Sequence, residues 1–218
     1  MRSSKTPIRT VACVAGLGLV LVQAALAVEK QPIRFNAADQ AAAKAATLKA
    51  ADLGPGWKGG ATKPDLTPDE ECATKVSDLV ITGAAKSKFD GAGVRITSES
   101  EVLQSPAMVA ADWQRSVGNA RFVACIRREL LKNDEPNVKM VSFTRVAFPK
   151  LTQRAVRYRS IVDYGQPGST VRAVADIVLV GKGRTEISLT LTTRYADRAV
   201  ADVAERNLAL LLLSRNTA

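Results

Sequence analysis

The residue types that do most enzyme chemistry near neutral pH are scarce in this chain: it has no histidine and only three cysteines, against 31 lysines and arginines and 21 acids. Without histidine there is no general base of the usual kind for a serine or cysteine nucleophile, and no imidazole for a zinc site. Carboxylates remain, and a pair of them can hydrolyse a glycosidic bond. The densest acidic run is Asp69-Glu70-Glu71. It comes after Thr67-Pro68, a hydroxyl cap with proline at the first helical position, so first-turn acids favoured by the helix dipole account for it. No catalytic residue, metal ligand or cofactor is assigned on this basis.

Arginine is the other reactive type. Arg145, Arg154, Arg157, Arg159, Arg172, Arg184 and Arg194 all fall on segments that read as strands. Arg157 and Arg159 share one side of a strand, as do Arg184 and Arg194, which makes these four the candidate anion-binding residues for phosphate, carboxylate or lipid head groups. The alternative is a solvated sheet face balanced by Asp163, Asp176 and Glu186. Tyr158, Tyr164 and Tyr195 either frame a pocket or pack half-buried. Gly54 to Gly60 is glycine-rich but lacks the spacing and trailing Lys-Ser/Thr of a phosphate-gripping loop, and reads as a turn with Trp57 as its anchor.

The address of the protein comes from its first residues. Arg2, Lys5 and Arg9 precede an apolar run from Val11 to Val22, and Ala25-Leu26-Ala27 supplies small residues for cleavage. Residues 1–27 are therefore expected to be a cleavable signal peptide, and Cys13 lies too early in the run for lipid attachment. The mature chain would have 191 residues with 28 basic and 21 acidic side chains, a net charge of +7. That length suits one secreted or extracytoplasmic domain, with no further segment long and apolar enough to span a membrane. Its basic surface favours anionic neighbours, such as wall polymer or lipid head groups; export argues against nucleic acid. Cys72 and Cys125 are expected to pair in an oxidising compartment, closing a loop of about 54 residues at roughly 4 kcal/mol of stabilisation.

These residues must be positioned by a series of short elements. Residues 28–36 read as a flexible lead-in, and 37–218 as a single domain. Ala37 to Leu53 is an alanine-faced helix, and a short helix carrying Cys72 runs to about Leu79. Gly83 to Gly93 is small and polar, as in a loop. Val94 to Val102 alternates as a strand. Ser105-Pro106 caps a helix with Met108, Val109, Trp113 and Val117 on one stripe; Gly118-Asn119 bends or breaks it, and it resumes through Phe122, Cys125 and Ile126. Further strands fall at about 138–148, 154–164, 171–180 and 184–195, with Gly181-Lys182-Gly183 as a tight hairpin. Asp197 caps a last helix whose stripe is Val200, Val203, Ala204, Leu208, Leu211 and Leu212. The order predicts an α+β fold: a mainly antiparallel sheet of about five strands, helices packed chiefly on one face, and one disulfide.

Ala51-Asp52-Leu53-Gly54-Pro55-Gly56-Trp57, the cysteine after it, Ser87-Lys88-Phe89, the strand beyond and the cysteine on the next helix together resemble small exported actinobacterial proteins. In layout, residues 45 to 213 are similar to the extracellular sensor domains of mycobacterial serine/threonine kinases and to PsbP-like secreted lipoproteins. The chain departs from them in lacking a lipid-attachment cysteine, a kinase domain and a second disulfide. The resemblance implies a sensor-like binding domain without established catalysis. The functional expectation is thus a non-enzymatic domain that binds a ligand or protein partner at the cell envelope. A carboxylate-based envelope hydrolase and electrostatic attachment to anionic polymer or lipid are the alternatives.

Overall fold

The computed structural model describes residues 32–66, 72, 78–91, 93–132, 138–166, 169–216 and 218. The expected signal peptide, the Asp69-Glu70-Glu71 run and most of the short helix around Cys72 lie outside these residues. The strands are β1 (Lys58–Thr62), β2 (Ile81–Gly91), β3 (Val94–Leu103), β4 (Val138–Val146), β5 (Arg154–Gln166), β6 (Ser169–Lys182) and β7 (Thr185–Arg194). They form one antiparallel sheet in the order β1-β2-β3-β7-β6-β5-β4. The helices are α1 (Ala37–Ala45), α2 (Ala50–Leu53), α3 (Pro106–Arg115), α4 (Ala120–Lys132) and α5 (Arg198–Ser214). The fold is α+β as the sequence implies, but with seven strands rather than about five.

The two extra strands are hidden in the sequence by small residues. Gly83-Ala84-Ala85 looks like loop material, yet it lies in β2 because α1 presses directly on it: a Cβ on Gly83 would stand 2.3 Å from the Asp39 carbonyl oxygen. Ala43, Ala85 and Val102 close that contact. β1 emerges from the glycine-rich turn, and Trp57 anchors it as expected, lying so close to Gly91 that a Cβ there would come within 2.8 Å of the indole. The lead-in is also ordered in its described part: Ile81 N–H donates to Pro32 O at 2.9 Å, and Arg34 N–H donates to Ile81 O at 2.8 Å. Asn36 then caps α1 by accepting from Asp39 N–H. The single helix expected from 37 to 53 is two, divided at Ala46–Lys49, where Leu48 turns into the core.

Register assigns each side chain to a face. Val178 and Leu179 are neighbours on β6 and so point to opposite sides. Val178 joins Val180, Ile187, Leu189, Leu191 and Ile96 beneath Ala201, Ala209, Leu212 and Leu213 of α5. Leu179 and Ile177 instead join Phe143, Val156 and Tyr158 beside Trp113, Val117, Val123 and Ile126 of the α3–α4 arm. Helices therefore pack on both faces, not chiefly on one. The buried stripe of α5 is likewise rotated from the expected one: Val200 and Val203 are 75 % and 63 % exposed, while Ala201, Glu205, Ala209, Leu212 and Leu213 are buried. At its centre is Glu205, an ionisable residue that lies fully inside and accepts a hydrogen bond from Arg157 of the sheet.

Cys72 and Cys125 form the expected disulfide, with their Cα atoms 5.6 Å apart, tying the segment before β2 to α4. Cys72→Ser should lower the melting temperature, with a loss of up to about 4 kcal/mol; an unchanged thermal unfolding curve would contradict a structural role for the bridge.

Candidate functional site

The four candidate anion-binding arginines do not make an open cationic patch. Arg157 and Arg159 come together, but under α5 and against acids: Arg157 Nη1 donates to Asp202 Oδ1 at 2.5 Å and Glu205 Oε2 at 3.1 Å. Arg159 forks onto Asp176 and reaches Asp202 at 2.6 Å. Arg184 donates to Asp39 at 2.6 Å and holds that carboxyl at about 2, below its ordinary value, chiefly through this hydrogen bond. Arg194 pairs with Asp197 at 2.8 Å, so Asp197 sits at the N-cap of α5 while its carboxylate serves Arg194 rather than the helix. Each arginine thus has a carboxylate partner, although the Arg194–Asp197 pair is exposed.

Asp176, Asp202 and Glu205 have carboxylate oxygens close enough together to hold a metal ion. The same oxygens already pair with the guanidinium groups of Arg157 and Arg159. Burial and the neighbouring Asp176 push the Glu205 carboxyl up to about 8, against the opposing pull of Arg157. This cluster is best understood as a buried ionic joint between helix and sheet.

The opposite face has a different character. Glu101 of β3 lies directly across from Glu186 of β7, and Glu99 from Ser188, so β3 and β7 project acids on the side facing α3. Sequence alternation makes this unavoidable: with Ser98, Ser100, Ile187 and Leu189 buried toward α5, the intervening glutamates must point the other way. Asp112 of α3 completes the group and hydrogen-bonds Glu186. Glu99, Glu101, Asp112 and Glu186, with Trp113, Ser116 and Val117, line a cleft of 230 Å³.

Among the described residues, only one of these acids forms a close ion pair: Lys86 Nζ lies 2.5 Å from Glu99 Oε1. Burial raises Glu101 to about 7, helped by repulsion from Asp112 and Glu99. Burial likewise raises Asp112, and it lifts Glu186 well above the ordinary carboxylate range, with further repulsion from Asp112 and Glu101. Glu186 Oε1 is shielded from solvent and accepts no hydrogen bond. A carboxyl oxygen left so is costly unless a donor is supplied.

Beside the cleft is an apolar hollow of 290 Å³ lined by Val123, Ile126, Phe143, Tyr158 and Ile177, the two sharing Ser116, Val117 and Leu179 as lining residues. Phe143 and Tyr158 stack there with ring centroids 5.4 Å apart. Tyr158 is the one tyrosine of the three that faces this hollow; Tyr164 is 41 % exposed, and Tyr195 lies under Arg198. A separate cavity of 440 Å³ lies between the α1–α2 turn and the β1–β2 edge, with Lys44 and Lys49 on its rim. Lys86 also lines it, but its ammonium is taken by Glu99. Sequence reasoning misses the acidic cleft because its members come from β3, α3 and β7, far apart in the chain; the available sign is a pair of glutamates at like positions of two alternating strands.

Over about pH 4.5–7 the folded protein keeps a proton on Glu101 that the unfolded chain has lost, so this group's contribution to stability is present below about pH 4.5 and lost as pH rises through about 7. Glu101→Gln should therefore raise stability by up to about 3 kcal/mol at pH 8 and leave it nearly unchanged at pH 4. Melting temperatures across that range measure it; parallel curves for parent and variant would contradict it.

No family model and no curated protein matches the chain. Among solved structures it is similar to a Mycobacterium smegmatis protein, the Rv0999 ortholog, at 15 % identity and a TM-score of 0.44, covering 83 % of this chain and 98 % of that one. It is also similar to PA94 of Pseudomonas aeruginosa, a protein of unknown function, at 14 % identity and a TM-score of 0.30, covering 70 % and 94 %. Likeness at this level assigns no function.

Proposed function

We propose that the chain is an exported, non-enzymatic binding domain of the cell envelope, and that its ligand lies in the groove between α3–α4 and the sheet. The observation that carries this reading is that the acidic cleft and the apolar hollow adjoin, with Ser116, Val117 and Leu179 lining both. Small-molecule sites combine an apolar wall with a few convergent polar groups in this way. Export is favoured by the disulfide, which fits an oxidising compartment. No helix among the described residues is long and apolar enough to cross a membrane.

The hydrolase reading gains one specific observation, the facing pair Glu101 and Glu186 in a cleft. Two-carboxylate hydrolysis, however, needs an ionised base or nucleophile beside the acid. Here Glu101, Asp112 and Glu186 are all pushed toward the neutral form despite the pull of Arg154 on Glu186, and the cleft acid held in an ion pair, Glu99 with Lys86, lies opposite Ser188 and not opposite a second acid. Attachment to anionic polymer loses its basis in the four arginines, each of which faces a carboxylate.

A small-molecule screen read out by amide chemical shifts should give binders that perturb Trp113, Val117 and Leu179 together, and Leu179→Arg should abolish them while the melting curve stays cooperative. Binders that perturb only other surfaces would contradict the assignment, and so would turnover lost on Glu101→Gln.

A further inference from the structure

We infer that the ligand of this groove is a small cationic amphiphile, a protonated amine on an alkyl or aromatic body, with the amine among Glu101, Asp112 and Glu186 and the body against Val117, Leu179, Phe143 and Tyr158. This ligand chemistry rests on the groove being a binding site, as proposed for the function.

The acidic end supplies what an ammonium group needs. It carries three hydrogens and no acceptor, so it is satisfied only by converging oxygens. Glu101 and Glu186 face each other across paired strands, and Asp112 approaches from the helix above them. Glu186 Oε1 is shielded and accepts nothing from the protein, an unmet need that an ammonium fills once the carboxyl turns toward the cleft. An anionic head group would instead meet uncompensated carboxyls, and a neutral one would bring no charge to hold them in the ionised form.

The apolar end sets the rest of the ligand. Its walls are Val117, Val123, Ile126, Phe143, Ile177 and Leu179, with the Tyr158 ring stacked on Phe143. The two hollows of 230 Å³ and 290 Å³ adjoin at Ser116, Val117 and Leu179, and together they reach the size of ordinary small-molecule sites. An inorganic cation would occupy only the first of them and leave the second without a role. A residue-sized amphiphile fills both.

The cleft also couples binding to protons. The groups that face it are Glu99 and Glu101 from β3, Asp112 from α3, Glu186 from β7, Lys86 of β2 through its bond to Glu99, Arg115 near Asp112, and Arg154 near Glu186. An arriving ammonium favours the ionised acids, so binding releases protons and tightens as pH rises through the range in which the cleft titrates. Alkylammonium itself stays charged throughout that range.

Calorimetric titration with n-octylammonium, n-octanol and n-octanoate at pH 5 and pH 8 tests this. The expected result is that octylammonium binds at pH 8 at least tenfold more tightly than at pH 5, that octanol and octanoate bind at least tenfold more weakly than the amine, and that Glu101→Gln and Glu186→Gln each weaken the amine by about tenfold. Because both variants are expected to melt no lower than the parent at pH 8, their loss of binding is separable from unfolding. Equal binding of all three head groups in the groove would overturn the cationic assignment and leave the binding reading standing. No binding of the amine overturns the assignment as well, and the chemical-shift screen then decides separately whether the groove binds anything.

Discussion

α5 is fixed to the sheet by a lattice of charges beneath it, and the division of the molecule into a closed face and an open one stems from that joint. Arg157 and Arg159, alternate residues on β5, engage Asp176 of the neighbouring strand and Asp202 and Glu205 of the helix. Glu205 and Asp176 are fully buried; Asp176 takes the fork of Arg159, while Glu205, whose carboxyl burial and Asp176 push up to about 8, accepts from Arg157. Arg157 also donates to the Ala147 carbonyl and lies over the Phe148 ring, which ties the end of β4 to the same point. With this geometry α5 can rotate no further, and Val200 and Val203 are left facing solvent.

Closing that face decides what the other can be. Because strands alternate, burying Ile187, Leu189 and Leu191 under α5 sends Glu186, Ser188 and Thr190 to the far side, and pairing with β3 sets Glu101 and Glu99 beside them. The far face is apolar only toward β5 and β4, where Val156, Tyr158 and Phe143 lie. The α3–α4 arm covers it by spanning from acid-rich to apolar ground. Its break at Ser116–Asn119 falls where the two hollows meet, and the disulfide at Cys125 tethers α4 behind it. The groove is thus a consequence of covering one chemically mixed face with one bent helical pair.

Much of this is legible from residue order and some is not. β3 and the four later strands, the α3 cap at Ser105, the break before α4 and the Cys72–Cys125 pairing all carry local marks: alternation, proline, glycine, an even cysteine count. β2 carries none, since its Gly83-Ala84-Ala85 run is shaped by contact with α1 and not by strand propensity. α5 misleads for the converse reason, as hydrophobicity alone turns Val200 and Val203 inward while the pairing of Glu205 with Arg157 turns them out. The arginines are visible as a set, but Asp39 lies 145 residues from Arg184, and Asp202 and Glu205 lie 45 and 48 residues from Arg157. The acidic cleft depends on register between β3 and β7, which no local pattern specifies.

A receptor for a cation requires cleft carboxyls that are shielded and short of cations while the protein is unliganded. Carbon-13 titration of the glutamate and aspartate side-chain carboxyls, with the cleft signals assigned through Glu101→Gln and Glu186→Gln, measures this directly. The prediction is that Glu101 titrates near 7 and Glu186 clearly above the ordinary range, while Asp39, held by Arg184, titrates near 2. If Glu101 and Glu186 both titrate below 5, the cleft is solvated and already satisfied, and its role as a receptor for a cation is wrong.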